Sequence, residues 1–221
     1  MKNNIAVIKE KDKSNAIEIT GTVFLSIASL AVAWCSYQSN LWNGKQVFTL
    51  AESNLNHRRA QERSGMLSKQ QEIDAAVTIN FLEAVLDQRP NRVEYYKRRT
   101  RPELAAVLST WLSMDPLRND LAPAHPLMMN EYKMLSDSAQ SAVDSLRQKA
   151  DLLWKEAQIN NNISDNYILY TVLFSLIMFL EALATKFTHP KVAFAGMLFA
   201  GMAFLITIIL LFVNMPRAYV S

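Results

Sequence analysis

The stretch that decides the fold is Tyr167 to Val213, YILYTVLFSLIMFLEALATKF–THPK–VAFAGMLFAGMAFLITIILLFV. It holds two apolar runs, Tyr167 to Phe187 and Val192 to Val213, joined only by Thr188, His189, Pro190 and Lys191. A helix rises about 1.5 Å per residue, so runs of about 20 residues match the ~30 Å of a bilayer's hydrocarbon core. A third run, Ile17 to Tyr37 (IEITGTVFLSIASLAVAWCSY), lies far upstream and is separated from the pair by a long polar stretch. The spacing predicts an all-α membrane protein with one span, an inserted helical domain, and then a closely spaced pair. The boundaries are a tail over 1–16, spans over 17–38, 165–187 and 192–213, an extramembrane domain over 39–164, and a C-terminal tail over 214–221.

Charge separates these segments. Residues 39–165 carry 16 Lys and Arg against 16 Asp and Glu, so the net +3 of the chain arises elsewhere. A domain with mixed signs and no surplus of cations argues against nucleic acid as a partner. Lys2, Lys9, Lys11, Lys13, Lys186 and Lys191 all fall on the side shared by the tail and the four-residue turn. Positive charge in short flanking segments orients spans, which predicts a cytoplasmic N-terminus and a periplasmic domain. Arg58, Arg59, Arg63, Arg147, Lys149 and Lys155 oppose that asymmetry. A rival reading takes Met1 to Ala33 as a cleaved leader with Ala31-Val32-Ala33 at the cut. Against it stand the acids in the tail and the interfacial aromatics Trp34, Tyr37 and Trp42. The single cysteine, Cys35, permits no intrachain disulfide.

Within the inserted domain, Leu41, Phe48, Ala51 and Leu55 recur at helical spacing and extend the first span outward. Gly65 is the expected hinge. Ile73, Ala76, Val77, Phe81, Ala84 and Val85 form an amphipathic stripe that ends at Pro90. Thr100 and Glu103 have capping-box spacing, with Pro102 in the first turn of a helix that buries Leu104, Val107, Leu108, Trp111 and Leu112. Pro116, Pro123 and Pro126 make Met114 to Pro126 a loop. A long helix runs from about Ser136 to Ile159 on Ala139, Ala142, Val143, Leu146, Ala150, Leu153 and Ala157, with Asn160 to Asn162 ending it and Ser164 or Asp165 capping the next span. No strand periodicity of useful length is present.

Ala33-Trp34, Tyr37-Gln38, Leu41-Trp42, Arg101-Pro102-Glu103, Asp115-Pro116-Leu117, Ala122-Pro123, Glu131-Tyr132 and Asp165-Asn166-Tyr167 resemble a family of uncharacterised small bacterial inner-membrane proteins. The resemblance covers most of the chain after the tail. It implies a three-span architecture in a bacterial inner membrane and transfers no catalytic residue.

The chemistry-bearing motifs point away from an enzyme. His57, His125 and His189 fall in separate segments, no CxxC is present, and the five glycines form no phosphate-binding loop. Neither a metal nor another cofactor is expected. Glu18 and Glu181 are candidate membrane-embedded functional charges, since a charge in hydrocarbon is costly; the alternative is interfacial pairing with Lys13 or Lys186. Ser26, Ser29 and Ala33 on the first span, and Gly196 and Ala200 on the third, are candidate packing positions, within the chain or in a homo-oligomer. Asp115, Pro116, Arg118, Pro123 and His125 mark a candidate partner-facing loop. The basic run Arg89 to Arg101, with Tyr95 and Tyr96, reads as a solvated helix face balanced by Asp87, Glu94 and Glu103. These features together suggest an interaction or assembly component whose partners are the lipid bilayer and an unidentified envelope protein. An oligomeric channel or transporter component is the alternative.

Overall fold

The computed structural model describes residues 2–187 and 189–219, with side chains from residue 18 onward except Pro190. Thr188 of the expected turn and the tail's lysine side chains, Lys13 included, lie outside the described residues. All regular structure among those residues is helical: α1 (Lys2–Leu86), α2 (Pro90–Arg99), α3 (Pro102–Ser113), α4 (Asn130–Ala184) and α5 (Pro190–Asn214), with a 3-10 turn at Pro126–Met128. Three of these, α1, α4 and α5, contain stretches long and apolar enough to cross a membrane. The chain divides into two compact units, one of residues 1–51 and 154–221 and the other of residues 52–153. α1 and α4 contribute to both.

Two expected breaks are absent. Gly65 is an exposed position inside an unbroken α1. A glycine costs a helix about 1 kcal/mol, too little to end one that is anchored by packing on either side. Asn160 to Asn162 likewise do not end α4, which begins six residues earlier than expected, at Asn130, and continues to Ala184. Asn160 is buried on the packed face, while Asn161 Nδ2 donates to Asp165 Oδ2 at 2.9 Å, one turn on. Ser164 is an internal seam residue rather than a cap. The expected tail over 1–16 is helical from Lys2 and continuous with α1.

In the first unit, α1 buries Gly21, Ala28 and Cys35 at intervals of seven residues, and α4 buries Tyr167, Phe174 and Glu181 at the same interval. That spacing is the signature of left-handed helix pairing. Ala200, Phe204 and Leu211 of α5 complete the core, with Phe204 edge-on to Phe24 at 5.1 Å and to Phe174 at 5.4 Å. Ser39 and Ser164 are hydrogen-bonded across the α1–α4 seam at 3.0 Å, and Ser164 Oγ also lies 3.0 Å from the Ser39 carbonyl. Beyond α5 the chain is extended and held by side chains. Gln38 accepts from the Ala218 amide at 2.8 Å and donates to its carbonyl at 3.2 Å. Trp42 Nε1 and Tyr167 Oη both donate to the Pro216 carbonyl.

The second unit is an antiparallel α1–α4 pair with α2 and α3 added. Ser53 Oγ donates to the Ala150 carbonyl at 2.8 Å, and Gln71 Nε2 donates to Ser136 Oγ at 2.8 Å. As numbers rise along α1 they fall along α4. The buried face of α1 here runs Ser53, Asn56, Ala60, Asp74, Thr78, Phe81, Ala84 and Val85, whereas Ile73 and Ala76 of the expected stripe are exposed. α1 stops in a Schellman arrangement: Gln88, at φ 52°, donates to Val85, and Arg89 donates to Ala84. Pro90 then opens α2. α3 buries Leu104, Val107, Leu108 and Trp111 against Phe81, Val85, Met129 and Tyr132. Its N-cap is Arg101, with no side-chain cap, so the Thr100 capping box does not form; Thr100 instead ends α2.

Candidate functional site

The second unit concentrates its polar chemistry on one buried carboxylate. Asp74 is 1 % exposed although it stands on the same face of α1 as Val77, Thr78 and Phe81. Four hydrogen bonds reach it. Gln70 Nε2 donates to Oδ1 at 2.9 Å from one turn earlier. Arg101 donates from Nε to Oδ1 at 3.1 Å and from Nη2 to Oδ2 at 2.6 Å, the parallel fork that a guanidinium offers a carboxylate. Tyr132 Oη, in the first turn of α4, donates to Oδ2 at 3.1 Å. The cluster thus ties three elements together at one point: α1, the start of α3 and the start of α4.

Electrostatics follow from this geometry. Burial pushes the Asp74 carboxyl up, but the hydrogen bonds and charge of Arg101, with Gln70 and Tyr132, outweigh it and hold the group below its usual range. Burial, with the Asp74 charge added, pushes the Tyr132 phenol up to about 12. Arg101 is stabilised as a cation by Asp74, and Glu103 stands 3.5 Å from its Nη1. A cleft of about 470 Å³ opens beside the cluster, lined further by Arg63, Met66, Gln71, Leu135 and Ser136.

Chemically the cluster is saturated. Both Asp74 oxygens are occupied, the Arg101 fork is engaged, and the Tyr132 proton is directed at Asp74. What the arrangement does is brace the fold; no member is left poised as a base or nucleophile. In the sequence, Arg101 and Tyr132 stand in short matched runs, Arg101 also closes the basic run, and Asp74 belongs to no motif. The signal was present: an acid at the i−3 and i−7 positions of an apolar stripe through Val77 and Phe81 requires a buried partner.

Each residue singled out in the sequence has a definite place. Glu181 is 1 % exposed in α4, three residues before the helix ends at Ala184; it makes no ion pair with Lys186, which is exposed. Glu18 is exposed on α1 beside Ile19, Thr22 and Val23. Ser26, Ser29 and Ala33 are exposed within this chain, and the two serine hydroxyls donate back to their own helix, to Thr22 and Ser26 carbonyls. The packed small residues of α1 are instead Gly21 and Ala28. On α5, Ala200 is fully buried, and a Cβ at Gly196 would stand 2.8 Å from Ala184 Cβ, so that glycine permits a close approach to α4.

The loop after α3 is ordered by its own bonds. Asp115 takes φ 50°, a left-handed conformation that aspartate tolerates better than most residues, and its carbonyl accepts from Arg118 and Asn119. Asn119 bonds to the Met114 carbonyl and the Leu121 amide. Trp111 Nε1 donates to the Pro123 carbonyl at 2.7 Å, pinning the loop to the core. Pro116, Pro123 and His125 are half-buried, Arg118 is exposed, and Leu121 is 93 % exposed. In the basic run, Glu94 pairs with Lys97 and Arg98, and Asp87 with Arg89, as on a solvated helix face, whereas Arg101 leaves that face to grip buried Asp74. Among the described residues no three His, Cys, Asp or Glu are grouped to hold a metal. Comparison with protein-family models, curated proteins and solved structures finds no match to this chain.

Proposed function

We propose that this chain is a non-enzymatic, membrane-anchored interaction protein that serves as an assembly component of the bacterial inner membrane, in keeping with the family it resembles. Its N-terminus is cytoplasmic, its second unit is periplasmic, and α4 and α5 cross the membrane as a tight hairpin. The observation that carries the reading is the loop after α3: Leu121 is 93 % exposed on a segment that Asn119 and the Trp111–Pro123 bond hold in one conformation. A large apolar side chain kept outward by an ordered loop loses little further entropy on binding, which favours protein docking. The saturation of the Asp74 cluster supports the non-enzymatic part, because it leaves that unit's buried carboxylate without a free catalytic valence.

A photo-crosslinking amino acid at Leu121 in native membranes tests the docking surface. We expect one discrete adduct that is absent from the same probe at exposed Glu62 and is lost when Leu117 becomes serine. Equal, diffuse labelling at both positions would refute the reading. The mass of the adduct separates a second copy of this chain from a different protein. A reporter fused after Ser221 tests orientation: activity confined to the cytoplasm would reverse it. The second reading, an oligomeric channel or transporter component, draws on the burial of Glu181. Liposomes in which wild type and Glu181→Gln are equally impermeable to ions would remove it.

A further inference from the structure

Glu181 is an acid that the packing of the first unit encloses and then leaves alone. It is 1 % exposed, and its Oε2 has no hydrogen-bond partner. A Cβ at Gly21 of α1 would stand 2.8 Å from Thr185 Cγ2, too close without a shift, and at ordinary contact distance, 3.5 Å, from Glu181 Oε1, so the glycine lets α1 seat closely on the turn of α4 that carries the acid. The Thr185 hydroxyl donates to the Ala182 carbonyl at 2.8 Å, and Met197 of α5 closes on Gly21 from the third helix. The titratable side chains nearest along each element are Glu18 on α1, Lys186 just past α4, and His189 and Lys191 at the start of α5. All four are exposed, and none makes an ion pair with Glu181.

Among the described residues no cation is paired with this enclosed carboxylate, and the neutral acid removes the cost of burying the charge altogether. The enclosure also sets the size of any ligand held in the closed packing, because a group at 1 % exposure leaves room beside it for nothing larger than a proton; a larger apolar reagent reacts only from the hydrocarbon side as the helices breathe. We propose that Glu181 is an intramembrane proton-binding site, which holds its proton while Gly21 is seated against it and exchanges it only when α1 and α4 part and admit water. This depends on the membrane helices alone and is independent of the loop-docking reading.

The full chain in liposomes at neutral pH tests it. Dicyclohexylcarbodiimide enters the bilayer and reacts with protonated carboxyls: the acid proton moves to one carbodiimide nitrogen, the carboxyl oxygen bonds to the central carbon as one C=N π bond opens, and an oxygen-to-nitrogen acyl shift leaves a stable N-acylurea. Mass spectrometry should find this adduct at Glu181. A water-soluble carbodiimide with an amine nucleophile should modify exposed Glu62 and Glu131 and spare Glu181. Infrared spectra should contain a protonated-carboxyl stretch that is lost in Glu181→Gln. Gly21→Val, which forces the helices apart, should make Glu181 reactive to the water-soluble reagent. Protein that retains its native circular dichroism but shows no hydrophobic adduct at Glu181, or shows equal modification there by both reagents, overturns the site. A Gly21→Val protein with unchanged reagent preference overturns the exchange step. The wild-type labelling decides the matter even where Glu181→Gln fails to fold.

Discussion

Replacing Asp74 with alanine removes one acceptor from three donors at once. Arg101 loses both arms of its fork, Tyr132 the acceptor of its hydroxyl proton, and Gln70 its partner. Removing one member of a buried ion pair costs about 3–5 kcal/mol because the other is left uncompensated. Arg101 is 29 % exposed and keeps Glu103 at 3.5 Å, which moderates that figure. The buried Tyr132 hydroxyl adds about 1–3 kcal/mol if no water reaches it. A net loss of about 3 kcal/mol is therefore expected, localised to the junction of α1, α3 and α4. Since about 1.4 kcal/mol is a factor of ten, this corresponds to roughly 100-fold faster local opening. Hydrogen exchange by mass spectrometry on the full chain in nanodiscs reads it out, with amides of α3 and the first turns of α4 losing protection while those of α5 do not. The double replacement Asp74→Leu with Arg101→Met should be less harmful than Asp74→Ala alone, because it leaves no unpaired charge. Exchange in α3 that changes less than about fivefold, below about 1 kcal/mol, would refute the claim that this cluster braces the unit.

The same cluster sets a pH window. The Asp74 carboxyl is held below its ordinary value, so its contribution is present above about pH 4, the unfolded range, and is lost as pH falls through the folded value. Tyr132 is pushed up to about 12, so its contribution is complete below the unfolded value of about 10 and is lost as pH rises between them; exchange in α3 followed from pH 3 to 11 should show both limbs. Trp111→Phe keeps the buried ring but deletes the 2.7 Å bond to Pro123, costing about 1 kcal/mol and speeding proteolysis within residues 114–125. Gly196→Leu places atoms where even a Cβ would stand 2.8 Å from Ala184 Cβ; a loss of about 1–3 kcal/mol should lower the melting temperature of the detergent-solubilised protein. Gln38→Ala removes both bonds to Ala218 and should make the segment after Asn214 cleavable by a protease to which the wild type is resistant.

Much of the helical fold was legible because long apolar runs and seven-residue spacings are properties of neighbours in sequence. The three candidate spans, the α3 core of Leu104, Val107, Leu108 and Trp111, and the α4 stripe through Val143 and Ala150 all follow from periodicity. Local rules misread Gly65 and Asn160 to Asn162. A weak helix former breaks a helix only where packing does not compensate, and compensation is supplied by residues distant in sequence. The buried polar positions were the least legible. Asp74 is 27 residues from Arg101 and 58 from Tyr132, and Gln38 is 180 from Ala218.

By itself, then, the sequence determined the class of the molecule: helical, with three stretches able to cross a bilayer, because hydrophobic length and period are set residue by residue along one chain. Only the tertiary structure decided which polar side chains have partners. Asp74 acquires four hydrogen bonds, while the Oε2 of Glu181 has none. The physical reason is that a charge's cost is fixed by what surrounds it in space, and those surroundings are assembled from helices whose pairing no local pattern states.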